Sequence, residues 1–171
     1  MAVESFKSIV ADPPWYERGG GKIKRGADRH YSLIKSRSDI LKVMLNAHVW
    51  RPAKSGCHMY LWVTNNFLLD GLWLLDALGF RYITNVCWVK PRFGLGRYFR
   101  GQHELCLFGS MGASMLPLVR NVPTIIAADT RGHSRKPIKF YKLVETVSPG
   151  PRLEMFARHP REGWVVWGNE L

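Results

Sequence analysis

Acidic residues are scarce in this chain of 171 residues, where 13 Asp and Glu face 25 Lys and Arg for a formal net charge of +12. That imbalance favours a polyanionic partner, either nucleic acid or an acidic membrane surface. No run of about 18 apolar residues occurs, so a membrane span is not indicated. The opening MAVESFKSIVADPPW also lacks the basic start and long apolar stretch of an export signal, and a cytoplasmic protein is expected. Cysteine is nearly absent. Cys57, Cys87 and Cys106 are odd in number, far apart and set among apolar neighbours, which reads as reduced packing thiols. Cys57-His58 has no second ligand pair at zinc spacing, so no metal is expected. No repeat appears, and no low-complexity tract beyond Gly19-Gly20-Gly21. Gly21-Lys22 and Gly94-Leu95-Gly96 each lack the remaining residues of a phosphate loop or dinucleotide fingerprint.

What is present is enough apolar content, 46%, to build one compact domain over residues 1–171. Strand-like apolar runs fall at 6–11, 59–63, 82–89, 104–108, 124–128, 153–157 and 164–167. Several are apolar at consecutive positions, as expected where both faces of a sheet are covered. Helical periodicity marks 38–47, 67–78 and 137–147, with Ser38-Asp39 as an N-cap of the first and Gly79 as a C-cap of the second. Strands alternating with helices predict an α/β fold with a mostly parallel central sheet flanked by helices. In such sheets ligands bind beyond the carboxyl ends of the strands. The first strand runs straight into Asp12-Pro13-Pro14-Trp15, the fourth region ends near Glu104, and the sixth ends at Phe156-Ala157-Arg158, so three distinctive segments converge on one rim.

Asp12-Pro13-Pro14-Trp15 is the most informative of them. Two prolines fix φ and remove two backbone donors, which leaves the local carbonyls as a stiff acceptor surface beside one carboxylate. Such a surface wants a ligand rich in N–H donors, and Trp15 adds a flat face on which a base can stack. The exocyclic amino group of adenine fits: it brings two donors on a flat ring, and hydrogen bonds to Asp12 and a proline carbonyl would hold its nitrogen for in-line attack on an electrophilic carbon. The plainer alternative is a strand-ending turn with a packed tryptophan.

The tetrapeptide resembles the Asp-Pro-Pro-Trp motif of the N6-adenine methyltransferases related to the seventy-kilodalton catalytic subunit of the mRNA adenosine methyltransferase. The likeness continues through Leu61-Trp62-Val63-Thr64, Trp88-Val89-Lys90, Gly101-Gln102-His103-Glu104, Ser134-Arg135-Lys136-Pro137, Ser148-Pro149-Gly150, Glu154-Met155-Phe156-Ala157-Arg158 and Trp167-Gly168-Asn169-Glu170, covering nearly the whole chain in order. It implies a Rossmann-like, S-adenosylmethionine-dependent methyltransferase fold in which the catalytic motif precedes much of the cofactor site. By position, Asp12, Pro13, Pro14 and Trp15 hold the target adenine, and Tyr31 and Glu104 lie near it. Lys136 is expected at the carboxylate of the cofactor, with Ser134 beside it. Glu154, Phe156 and Arg158 follow the strand beside the cofactor, and Asn169 with Glu170 match the polar pair at its ribose. A carboxylate such as Glu170 can accept from both ribose hydroxyls. Larger members of the family carry an upstream acidic residue at the cofactor's adenine. This chain begins eleven residues before Asp12, so other groups are expected to bind that ring.

Several of these residues have plainer readings. Lys136 precedes a proline at a helix start, where the dipole gives an ammonium nothing, which favours a ligand role. Arg158 and Arg161 could be solvated, Glu104 could be a strand start or a neighbour of Arg100, and His103 reads as a surface residue more than a base. The positive charge is clustered. Arg18, Lys22, Lys24, Arg25 and Arg29 fall in a glycine-rich loop, 16–30, read as a mobile lid that orders on substrate. Lys90, Arg92, Arg97 and Arg100 fall with Phe93, Tyr98 and Phe99 around a second loop, 91–102, and Arg131, Arg135, Lys136, Lys139 and Lys142 surround the lysine motif. Three such runs around one site predict a phosphate-binding surface, with Lys22, Lys24, Arg25, Arg97 and Arg100 as substrate residues. DNA is favoured over RNA because the chain is small. A non-catalytic nucleic-acid-binding subunit is the competing reading, and a homodimer is plausible.

Overall fold

A computed structural model describes residues 5–16, 34–94, 98–112, 115–130 and 135–168. Its centre is a seven-stranded sheet formed by β1 (Ser8–Ala11), β2 (Cys57–Val63), β3 (Arg81–Val89), β4 (His103–Met111), β5 (Ile125–Ala127), β6 (Arg152–Met155) and β7 (Val165–Trp167), in the order β5-β3-β4-β2-β1-β6-β7. All neighbours run parallel except those of β4, which is antiparallel to both β2 and β3. The seven apolar runs all became strands, and the mostly parallel sheet is the one expected.

Alternation along the central strands divides the core in two. Ile9, Ala11, Cys57, Met59, Leu61, Val63, Leu107, Leu153 and Met155 face one side, where α1 (Arg37–Asn46) and α2 (Leu68–Ala77) cover them with Ile40, Met44, Leu74 and Leu75. Val10, Tyr60, Trp62, Val86, Trp88 and Cys106 face the other, beneath Phe140, Tyr141 and Val144 of α3 (Ile138–Val147). Each large apolar side chain fully withdrawn from water contributes about 1.5–3 kcal/mol, and both faces draw on this. β2 is therefore buried at all seven positions. The cysteines are free thiols, with Cys57 and Cys106 buried, and burial pushes the Cys57 thiol up to about 12.

Two helix ends differ in detail from expectation. The N-cap of α1 is Ser36, not Ser38: its Oγ accepts from the Asp39 N–H at 3.2 Å, and its own hydroxyl donates to Asp39 Oδ2 at 2.8 Å. A capping serine and its partner stand three positions apart, and Ser36 to Asp39 supplies that spacing. At α2, Gly79 lies one residue past the cap at φ 84°, and the N–H groups of Gly79 and Phe80 reach the carbonyls of Asp76 and Leu75 at 2.8 and 3.0 Å. This closes the helix in a Schellman turn. No helix among the described residues is long and apolar enough to cross a membrane.

Candidate active site

The parallel strands end at one rim, which they reach at Asp12, Thr64, Lys90, Ala128 and Phe156. Glu104 joins them because β4 runs the other way. It stands at the start of β4 and not at its end, and its pairing with Trp88 sets it two residues before Lys90.

These side chains form a line of alternating charge. The Lys136 ammonium lies 3.1 Å from Asp12 Oδ2 and 2.9 Å from Glu104 Oε2, and Lys90 pairs with Glu104 Oε1. Glu104 thus has Lys90 and Lys136 as partners, while Arg100 donates to the Gly94 carbonyl at 2.7 Å. Lys136 does gain structurally from its place before α3, since its side chain is only 9% exposed and bridges two carboxylates. Burial opposes its charge, but Asp12 and Glu104 outweigh burial and hold the ammonium above its ordinary value. Burial likewise opposes ionisation of Glu104, and Lys136 with Lys90 holds its carboxyl below the ordinary range. Two tryptophans make the floor: Lys136 lies 4.8 Å over the ring of Trp62 and Lys90 lies 4.9 Å over that of Trp88. The two rings meet edge to face at 6.3 Å.

Trp15 departs from expectation. Instead of an open stacking face, the ring is 6% exposed, stacked on Phe67 at 5.6 Å, and its Nε1 donates to the Trp62 carbonyl at 2.9 Å. The ring joins the core on the side of the sheet that α1 and α2 cover, where Phe67, just before α2, closes over it. Its part is to clamp the turn that carries Asp12, with Pro13 and Pro14 buried beside it. Tyr16 adds a second clamp: its hydroxyl donates to Asp70 Oδ2 at 2.8 Å, and Asp70 also pairs with Arg37 at 3.2 Å.

Beside Asp12 a cleft of about 160 Å³ opens, lined among others by Arg135, Lys136, Tyr141, Glu154, Phe156 and Arg158. Glu154 is buried on β6, where Oε1 accepts from the Tyr141 hydroxyl at 2.6 Å and Oε2 from Arg161 at 3.3 Å. Burial, reinforced by Glu154, raises the Tyr141 hydroxyl above its ordinary value. The Arg161 guanidinium lies 3.2 Å over the Tyr141 ring, so it is a packed member of the cleft and not a solvated residue. Phe156 takes a left-handed φ of 60°, unusual for a bulky side chain, and packs edge-on against Trp167 at 5.7 Å. The turn survives because Gly168 crosses it: a Cβ there would lie 2.1 Å from the Ala157 carbonyl. Strain held in this way gathers at ligand sites.

The structure therefore brings Asp12, Pro13, Pro14, Trp15, Glu104, Lys136, Glu154, Phe156 and Arg158 to one rim. Arg100 lies apart, on the loop between β3 and β4, and His103 is exposed. Tyr31, Lys22, Lys24, Arg25, Arg97, Ser134, Asn169 and Glu170 lie outside the described residues, as do positions 17–30 of the glycine-rich loop. Sequence reasoning gave no role to Tyr141 or to the Trp62 and Trp88 floor, although both tryptophans sit where their strands meet the rim.

A mostly parallel sheet whose first strand runs into Asp-Pro-Pro-Trp beside a polar cleft belongs to the Rossmann-like, S-adenosylmethionine-dependent methyltransferases. The chain is a member of the MT-A70 family, which it matches over residues 6–170. It is 34% identical over 181 residues to a probable N(6)-adenosine-methyltransferase MT-A70-like protein of Oryza sativa subsp. japonica, covering 97% of this chain and 23% of that one. It is 28% identical over 178 residues to the N(6)-adenosine-methyltransferase catalytic subunit METTL3 of Homo sapiens, covering 97% and 28%. It is 27% identical over 183 residues to the type II methyltransferase M.MunI of a Mycoplasma species, covering 98% and 78%. The chain thus spans about a quarter of the first and second relatives and most of the third.

Proposed function

We propose that this chain transfers a methyl group from S-adenosylmethionine to the N6 amino group of adenine in nucleic acid, with DNA favoured over RNA. The observation that carries the reading is the Asp12 carboxylate at the end of β1, held between a buried pair of prolines and the Lys136 ammonium, at the edge of a cleft. The donor set fits the cofactor. A lysine has three N–H donors and Lys136 commits two to Asp12 and Glu104, which leaves one for the cofactor's carboxylate. Glu154, Phe156 and Arg158 line the same cleft, and Arg161 with Tyr141 offers flat surface where the cofactor's adenine needs a partner.

Bound there, S-adenosylmethionine supplies an electrophilic methyl group. Asp12 accepts one N–H of the target amino group and a proline carbonyl accepts the other, which aims the nitrogen lone pair into the cleft. Lys136 fixes the Asp12 carboxylate in direction, and Glu104 with Lys90 fixes Lys136 in turn. No strong base is needed, because the nitrogen becomes acidic once it is cationic and sheds its proton to the acceptor surface around it. Positioning of this kind is worth orders of magnitude in rate.

The extent of the match to the type II methyltransferase supports the DNA reading. An RNA substrate is the second reading, favoured by the names of the adenosine-methyltransferases it resembles. Incubation with labelled S-adenosylmethionine and matched DNA and RNA strands, followed by mapping of the modified base, tests both. N6-methyladenine in DNA supports the first and N6-methyladenosine in RNA alone the second, while no transfer to either overturns the enzyme reading.

A further inference from the structure

The loop between β3 and β4 continues their pairing as a hairpin. The Lys90 N–H donates to the Gln102 carbonyl at 2.8 Å, the Gly94 N–H to the Gly101 carbonyl at 2.6 Å, and Arg100 Nε to the Gly94 carbonyl at 2.7 Å. This built stem carries three aromatic side chains that touch little: Phe93 is 69% exposed, Tyr98 93% and Phe99 90%. Aromatic rings so open are ordinarily withdrawn from water by a partner. The chain from Lys90 to His103 holds four basic residues and no acidic one. At its root, Lys90, Pro91 and Gln102 border a second cleft of about 720 Å³ that reaches Lys139 and shares Ile138 with the first. This cleft, bordered by the cations Lys90 and Lys139 and by one carboxylate, Asp129, thus leads from the root of the hairpin to the rim that holds Asp12.

We infer that this hairpin is a stacking platform for unpaired bases next to the target adenine, so that the nucleic acid is engaged as a single strand on this side of the site. The inference rests on the proposed function and names the form of its substrate. Rings interleaved with arginines fit a polyanion whose bases expose π faces, because each ring takes a base of any sequence while the arginines meet phosphates. In a duplex those faces are already stacked. A second copy of this chain fits poorly, since it brings the same basic hairpin and its own net charge of +12.

The test measures affinity by fluorescence anisotropy for the full chain and for Tyr98→Ala/Phe99→Ala. The probes are a short single strand with one adenine, the same strand with abasic sites flanking that adenine, and the matched duplex. Stacking contributes about five- to a hundredfold per base, so the variant should bind the single strand at least about tenfold more weakly. Abasic flanks should weaken the native protein to a similar degree and the variant little further, with duplex affinity changed less than about twofold. The slope of log affinity against log salt should stay unchanged, because no charge is removed. An unchanged melting temperature confirms that the open side chains left the fold intact. Equal losses on single strand and duplex, or a variant still sensitive to abasic flanks, would overturn the platform. So would unaltered nucleic-acid affinity with loss of self-association in sedimentation, which would make the hairpin a contact between copies. If the native protein methylates adenine but ignores the flanking bases, the platform fails alone. If it binds by its flanking bases and methylates nothing, the platform stands and the methyl-transfer reading fails.

Discussion

The two ends of the sheet each bury a polar cluster, and the clusters are built on opposite principles. At the carboxyl rim the groups are charged: Asp12, Lys136, Glu104 and Lys90 alternate in sign beside an open cleft. At the amino end they are neutral and closed. His58 Nδ1 lies 2.7 Å from Ser148 Oγ, the Tyr60 hydroxyl lies 2.7 Å from the same oxygen, and His58 Nε2 lies 3.2 Å from the Met115 carbonyl. A carbonyl only accepts, so Nε2 carries the proton, Nδ1 accepts from Ser148, and Ser148 accepts from Tyr60. Each of these hydroxyls then has a partner for its proton without any ionic charge. Such a network binds β2 to the turn after α3 at little desolvation cost, whereas buried ion pairs seldom add net stability. The charge nearest this network is Arg152, which stays outside the hydroxyl chain and donates to the Ser148 carbonyl at 2.9 Å.

The largest expected effect breaks the charged end. Lys136→Met leaves Asp12 and Glu104 without their shared cation and should cost about 3–5 kcal/mol in urea unfolding at neutral pH. Adding Asp12→Asn and Glu104→Gln to that variant should recover most of the loss, since the cost is uncompensated charge and not lost packing. A triple variant as unstable as the single one would show that Lys136 acts through its stem on Trp62.

Asp12→Ala should lower methyl transfer at least about 100-fold while nucleic-acid affinity stays within about threefold, because the carboxylate aims one nitrogen and meets no phosphate. Single-turnover rates and anisotropy with the same oligonucleotide separate the two, and native rates would remove Asp12 from the mechanism.

The neutral end should respond in the reverse sense. His58→Leu strips partners from Ser148 and the Met115 carbonyl and should cost about 1–3 kcal/mol of stability, with methyl transfer by the folded fraction unchanged. A fall in rate without a fall in stability would join the two ends functionally.

The smallest effect is in pH. Burial lowers the His58 pKa from 6.5, against the Met115 carbonyl, which raises it, so below 6.5 the unfolded chain binds the proton more readily than the native one. Native stability should fall on acidification below 6.5, and His58→Gln should flatten that slope. Glu104 is held below 4.5, so its contribution is present above 4.5 and is lost only as pH falls through its lower folded value. Denaturant midpoints of native, His58→Gln and Glu104→Gln proteins against pH keep these windows apart; a slope unchanged in His58→Gln would place the acid sensitivity elsewhere.

Much of the architecture was legible from the chain alone because its signals are local. The run 59–63 is apolar at every position, as suits a sheet covered on both faces, and the two prolines after Asp12 stop β1 and stiffen the turn whatever surrounds them. The direction of β4 was not legible. Apolar content says that a segment is a strand and not which way it runs, yet that direction brings Glu104 to the same end as Asp12. Trp15 was misread for a related reason: a tryptophan's open face and its buried face look alike in a sequence, and only the approach of Phe67 decides between them. The partners of Lys136 are 124 and 32 positions away, so no spacing could announce them. Sequence by itself determined the strands, the stiff acceptor turn and the excess of positive charge, because propensity, proline stereochemistry and formal charge belong to single residues or short runs. Tertiary structure decided which charges neutralise one another, which tryptophans are floor and which aromatics are left open, because pairing and burial depend on chain segments that meet only after folding.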